Sequence, residues 1–459
     1  MKTRMLKKAV ATTVAATMVL SVPVYAKEDK KVTIDQIELG KDYTDIKADL
    51  KFLTHKTDVV DTVFKGYVED FQKLYPNVNI EYEGITDYAN DVTMRLSTGD
   101  WGDICMVPTT VDKDELENYF VSFGDKGSLS KIYESNMLNN FAFSDQVYGV
   151  PSMANVQGIV YNKAVFKEAG ITELPKTPDE FLDDLQKIKD NTDAIPMYTN
   201  FAAGWTMTAW DSYIDGGATG DPDFVNNVLC KGKDPFSDRG DGTGPYAVYN
   251  TLYEAVSRGL TEDDPTTTDW EGSKGRMNNG EIGCMVLGSW AIPQIQSAGE
   301  HSDDIAYMPF PITVNGKQYA AAGPDYCYGI NANSSEDNQI AAMCYVKWLV
   351  EKSGYAESEG GISVDKDAQL PEALSSFADV ELIINDPAPE GEETLANDIN
   401  NNSELGINVS GYIPKEIVEN AITPNGMTMD EMVQEWNEKW TAAQEEAGVT
   451  PQKYDYESK

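Results

Sequence analysis

Between residues 50 and 107 the spacing of apolar residues switches repeatedly between two periods, and this limits the fold more than any other feature. "LKFL" (50–53) is a short apolar strand. From Asp58 to Leu74, Val59, Val60, Val63, Phe64, Tyr67, Val68, Phe71 and Leu74 recur three and four residues apart, which predicts an amphipathic helix. Pro76 stops it. "NVNIEYE" alternates Val78, Ile80 and Tyr82 as a strand does, and Thr86-Asp87 can cap a helix to about Leu96. "ICMV" (104–107) reads as a buried strand. Strand, helix, strand, helix, strand predicts an α/β architecture, with parallel strands and helices on both faces of the sheet.

The pattern returns downstream. "GIVYNK" (158–163) leads into a helix over 164–169. Thr177, Pro178 and Glu180 open another, with Phe181, Leu182, Leu185 and Ile188 on one face. Residues 216–246 are rich in Gly, Asp and Pro and read as a long surface loop. Strands are predicted at 282–287, 305–308 and 327–330, and an apolar helix at 339–352. Thr428 and Glu431 form a capping box before a last helix whose Met432, Val433, Trp436 and Trp440 make a buried stripe. The chain therefore reads as two α/β units.

The N-terminus has the form of an export signal. Met1–Lys8 carries four basic residues, 9–22 is apolar or small, and Val24-Tyr25-Ala26 fits a cleavage site before Lys27. No Cys lies near that point to carry a lipid. Residues 27–47 read as a loose linker. The net charge of −40 argues against nucleic acid and anionic membranes, which need basic patches. The five Cys form no CxxC pair, and with only two His a metal site is not expected. No cofactor is implied.

Several segments, in order, resemble one family. They are "FLTHKTD", "YPNVNIEYEGITDYANDVTMRLSTGDWGDICMVP", "YGVPSMANVQGIVYNKAVFKEAGI", "RMNNGEIGCMVLGSWAIPQI" and "AAAGPDYCYGINANSSEDNQIAAMCYVKWLVEKSG". Together, over about 48–445, they are similar to the family 1 extracellular solute-binding proteins of bacterial ABC importers. The carbohydrate-binding group, which includes maltose-binding protein, fits best. The resemblance implies two lobes of the periplasmic-binding-protein fold, each a mainly parallel sheet flanked by helices, hinged around a cleft. Lobe 1 would be 48–153 and 327–372, lobe 2 would be 154–322 and 373–459, and 323–326 a hinge crossover. It implies a monomeric, exported binder of a mono- or oligosaccharide that delivers its ligand to membrane permease subunits, without catalysis.

The same resemblance singles out residues. Trp290, in "GSWA", follows an apolar strand. By residue type it is core or platform; by resemblance it stacks on a sugar ring, with Gly288 and Ser289 keeping the approach clear. Asn155 takes the place of an acidic cleft residue in the maltose-binding member, or caps a hinge turn. Trp205 falls near another aromatic cleft position. His55, Thr57 and Asp58 follow the first strand, where hydroxyl contacts are common, although Thr57 and Asp58 also suit a helix cap. Asp325 binds hydroxyls or makes a turn with Pro324. Val107 stands where the maltose-binding member has a tryptophan, so one stacking wall is missing or supplied elsewhere. A secreted carbohydrate-active enzyme, or the binding component of a chemoreceptor or sensor kinase, are the other classes open to such a chain.

Overall fold

In the computed structural model, which describes residues 32–454 apart from Asp58, Asp100, Thr109, Leu370 and Ser410, the strands gather into two principal sheets. The first has the lateral order Val78–Gly84, Ala48–Thr54, Ile104–Val107, Cys327–Ile330, Val150–Pro151. Phe52 sits opposite both Tyr82 and Ile104. The second has the order Thr313–Val314, Lys317–Pro324, Ala154–Asn162, Ile282–Gly288, Ile195–Met197. Ile305–Met308 pairs with Ala154–Asn162, and Glu381–Ile383 with Lys317–Pro324. The signal segment expected over 1–26 lies outside the described residues.

The sheets are mixed, not mainly parallel. The three strands linked by helices at 48–107 pair in parallel, as their spacing requires. Cys327–Ile330 and Ala154–Asn162 run the other way against their neighbours Ile104–Val107 and Ile282–Gly288. The cause is connectivity. These two strands continue almost directly out of the opposite sheet, so each starts at the end where the sheets face one another and runs away from it. Helix-linked strands run toward that end and finish at Thr54, Val107 and Gly288.

The chain passes between the sheets in bonded company. The Ser152 N–H and hydroxyl both donate to the Tyr326 carbonyl, at 3.0 and 2.9 Å. The Asp325 N–H donates to the Met153 carbonyl at 2.9 Å. Ala154 and Ile362 exchange N–H···O bonds of 2.7 and 2.8 Å. The connecting segments therefore satisfy one another's backbone groups where neither sheet can.

Two expected irregular stretches are built into the core. Ile34 and Ile37, in the expected loose linker, are buried, and the Ile34 N–H donates to the Phe123 carbonyl at 2.9 Å. In the expected surface loop 216–246, Phe224, Val228, Leu229 and Phe236 are buried against the last helix, Met429–Glu446. Trp440 Nε1 donates to the Leu229 carbonyl at 2.7 Å, and the Gln444 amide donates to those of Cys230 and Gly232. Hydrogen-bond demand from this helix fixes a segment whose composition reads as loop. The capping box of Thr428 and Glu431 and the buried Trp436 and Trp440 stand as the sequence predicts.

Candidate functional site

The strand ends bring chemistry to the face between the sheets, the usual ligand position in open α/β sheets. Ile282–Gly288 ends there, and Ser289 turns the chain. Ser289 is fully buried. Its N–H donates to the Val156 carbonyl at 2.9 Å and its Oγ accepts from the Val156 N–H at 3.1 Å. The turn is thus locked to the strand that carries Asn155 and Gln157 on one face.

Trp290 follows, half-buried, packed on one side against the second sheet's core and on the other against Phe64, Met153 and Tyr355. Its ring centroid is 5.5 Å from that of Trp205 and 5.7 Å from that of Trp270. Trp205 and Trp270 meet edge to face at 5.8 Å. Trp270 is buried, whereas Trp205 is 54 % exposed. The result is an aromatic surface with a rigid base and an open side. Gly288 also has a packing requirement of its own. A Cβ there would stand 2.6 Å from Nε1 of Trp290, so the glycine makes room for the indole itself.

Across the crossovers, His55 follows the strand Ala48–Thr54. Its ring lies 4.5 Å from Tyr326 and 5.8 Å from Tyr88. Burial, with the adjacent Lys56 charge, pushes its pKa down to about 3, so the imidazole is neutral. Among the described residues its buried Nδ1 has no partner, and neither do Oδ1 of Asn155 and the Tyr355 hydroxyl oxygen. Buried polar atoms are normally paired, so three such atoms near one crossing are unusual. Lys56 is held by Glu359 at 2.5 Å. Asp325 has its carboxyl pushed up by burial, against the pull of Lys56. Asn155 pairs with Gly323 across the strands, next to Asp325. Thr57 is exposed, its N–H donating to the His55 carbonyl at 3.0 Å. Asp58 lies outside the described residues.

Trp205 and Trp290 are therefore in contact, and His55, Asn155 and Asp325 gather at the crossovers. Val107 is fully buried in the first sheet and contributes no wall; the aromatic rings beside Trp290 are the exposed Trp205 and the buried Trp270. Sequence reasoning missed Trp270, Gln157, Tyr326 and Tyr355. Gln157 was within reach, two residues beyond Asn155 on the same strand face. A polar cavity of about 530 Å³ opens beside Gln157, Gly323 and Pro324. A larger depression, about 690 Å³, lies against the last helix at Tyr246 and Asn437, away from all these side chains. Among the described residues no group of three or more His, Cys, Asp or Glu is placed to hold a metal ion, and all five cysteines are buried and free.

Two mixed sheets joined by bonded crossovers, with aromatic and unpaired polar groups at their facing ends, define a two-lobed solute-binding fold. The chain belongs to the bacterial extracellular solute-binding protein family, whose profile matches residues 57–356. It is 48% identical to a manno-oligosaccharide-specific solute-binding protein of Bifidobacterium animalis subsp. lactis, solved with mannotriose. That match covers 90% of this chain and 99% of the other, with a TM-score of 0.84. A second binding protein of an ABC transporter from the same organism, solved with mannobiose, is 49% identical over the same shares, again at TM-score 0.84. The multiple sugar-binding protein of Streptococcus mutans is 24% identical over 72% of this chain and 80% of its own length.

Proposed function

We propose that this protein captures a short mannose-containing oligosaccharide between its lobes and delivers it to the permease subunits of an ABC importer. The observation that carries the reading is the contact of the exposed Trp205 with Trp290, together with His55 Nδ1 and Asn155 Oδ1, which have no partner among the described residues. A pyranose ring has a flat C–H face that matches an indole and hydroxyls that match the unpaired polar atoms. The ligands of the two Bifidobacterium proteins support mannose as the sugar.

In this reading Trp290 and Trp205 stack on the sugar, while His55, Asn155 and Asp325 bind hydroxyls. Thr57, exposed just beyond the strand that His55 follows, is a further hydroxyl contact. The lobes divide as 48–153 with 327–372 and 154–322 with 373–459, turning about 323–326 and its bonded neighbours. Closure brings both sets of groups onto one ligand, and the permease selects the closed form by differential affinity. The protein works as an exported monomer in the cell envelope, its signal removed after Ala26, and performs no chemistry on the sugar.

The test is calorimetric titration of the purified protein with mannose, mannobiose, mannotriose, maltotriose and cellobiose, followed by chromatography of the mixtures. Saturable binding of a manno-oligosaccharide, with the sugar recovered intact, is expected. Binding of none of the sugars would contradict the proposal, and recovery of cleaved sugar would replace it with an enzyme.

A further inference from the structure

Trp205 forms the open side of the aromatic surface and is largely exposed, so its placement depends on the backbone beneath it. That backbone is short. Gly204–Met207 is a single helical turn that runs into Thr208–Asp211. A helix of this length has little stability of its own. Whatever grips the turn therefore decides where the indole stands.

A distant part of the chain supplies the grip. A Cβ on Gly411 would stand 3.0 Å from both the Gly204 carbonyl oxygen and Cβ of Met207, so this glycine is pressed onto the residues that bracket Trp205. Three positions earlier, Asn408 sits in the left-handed region with φ +59°. Its N–H donates to Oδ2 of Asp211 at 2.9 Å, and its Oδ1 accepts from the Ser212 hydroxyl at 3.0 Å. The neighbouring Ile407 is tied from behind, because Asn400 bonds its N–H and its carbonyl, each at 2.9 Å.

Asp211 is the node of this arrangement. Its carboxyl is almost wholly buried, and each oxygen receives one donor. Oδ2 takes the Asn408 N–H, and Oδ1 takes the hydroxyl of Tyr249, from the helix Gly244–Ser257, at 3.0 Å. Burying a carboxyl is costly, and an apolar residue of similar size would fill the space without that cost. What the carboxyl adds is geometry: it ties the helix 244–257, the segment 404–409 and the turn under Trp205 to one point.

We infer that Asp211 is a positioning residue for sugar binding: through Asn408 it clamps segment 404–409 and Gly411 onto the turn Gly204–Met207 and so sets the indole of Trp205 against Trp290. The inference rests on the proposed function, in which Trp205 stacks on the sugar. Its test is a double-mutant cycle. The tighter-binding of mannobiose and mannotriose is titrated by calorimetry into wild type, Asp211→Ala, Trp205→Ala and the double variant.

Asp211→Ala should weaken binding about tenfold, the size of one lost hydrogen bond. It should add no further loss once Trp205 is gone, because its effect runs through that ring. Asp211→Asn keeps an oxygen for the Asn408 N–H and should retain most of the affinity. If Asp211→Ala does not fold, Ser212→Ala, which removes only the bond to Asn408, takes its place in the cycle. A merely structural Asp211 would give the same loss with or without Trp205, and that additivity would overturn the inference. No loss in the alanine variant, or an equal loss in Asp211→Asn, would overturn it too. If Trp205→Ala binds as tightly as wild type, the inference falls and the protein remains a sugar binder. If wild type binds neither sugar, both fall.

Discussion

Gly360 and Pro293 touch beside the crossovers. A Cβ on Gly360 would stand 2.9 Å from Cδ of Pro293 and 2.9 Å from the Ser289 carbonyl oxygen, and the glycine has φ +71°. The turn that carries Trp290 can seat against Gly360 only because this position has no side chain. Gly360→Ala should hold the lobes apart and add about 1–2 kcal/mol of backbone strain. The expected outcome is weaker sugar binding together with a lower thermal midpoint, read by calorimetry and by melting.

Gly288→Ala acts on the platform from below. The new methyl would meet Nε1 of Trp290 at 2.6 Å, so the indole must shift. Overpacking of this kind costs about 1–3 kcal/mol. Sugar affinity should fall, and the tryptophan emission maximum should move as the indole's surroundings change. An unmoved spectrum with intact affinity would show that the ring does not depend on this glycine.

His55 sets a pH dependence. Its folded pKa of about 3 lies below the unfolded value near 6.5. The unfolded chain therefore takes up a proton as pH falls through about 6.5, and the folded protein does so only near 3. Stability from the buried neutral ring is present above that window and is lost as pH falls through it, by at most about 1.4 kcal/mol per pH unit. The melting temperature of wild type should fall more between pH 7 and 4.5 than that of His55→Gln. The folded imidazole remains neutral from pH 8 to 5, so His55 itself should add no change in sugar affinity over that range.

Asp211 has the opposite sign. Burial raises its pKa to about 7, although the Asn408 N–H and the Tyr249 hydroxyl both donate to it. The folded state then holds a proton that the unfolded state releases near 4, so stability falls as pH rises from about 4 to 7. The difference in melting temperature between Asp211→Asn and wild type should move in the variant's favour over that range. A difference that stays constant with pH would show that Asp211 is already ionised in the folded protein at pH 4.

Local pattern carried much of the fold. The periodicity at 48–107 and the capping box at Thr428 each rest on residues within a few positions, and both stand. What it missed depends on distant partners. Segment 216–246 is core because Trp440 and Gln444, some 200 residues away, bind its carbonyls. Strand direction followed from which segments cross between sheets, which no local spacing encodes. At the candidate site, the resemblance singled out Trp290 and Trp205, and their contact was not legible. Trp270 had no local signal at all; its meaning comes from the 5.7 Å separation from Trp290. Gly288 was noticed for a reason that proved incomplete, since only the folded turn reveals that the indole lies back over it.

The most direct measurement is a titration of wild type and Trp290→Ala with mannotriose, followed by calorimetry, with the thermal midpoint of each apo protein recorded alongside. Loss of the stacking face should weaken binding by about 1–3 kcal/mol while the fold persists. Equal affinity for mannotriose in the two proteins, with the variant less stable, would show Trp290 to be core and would contradict the sugar-binding role given to the aromatic surface.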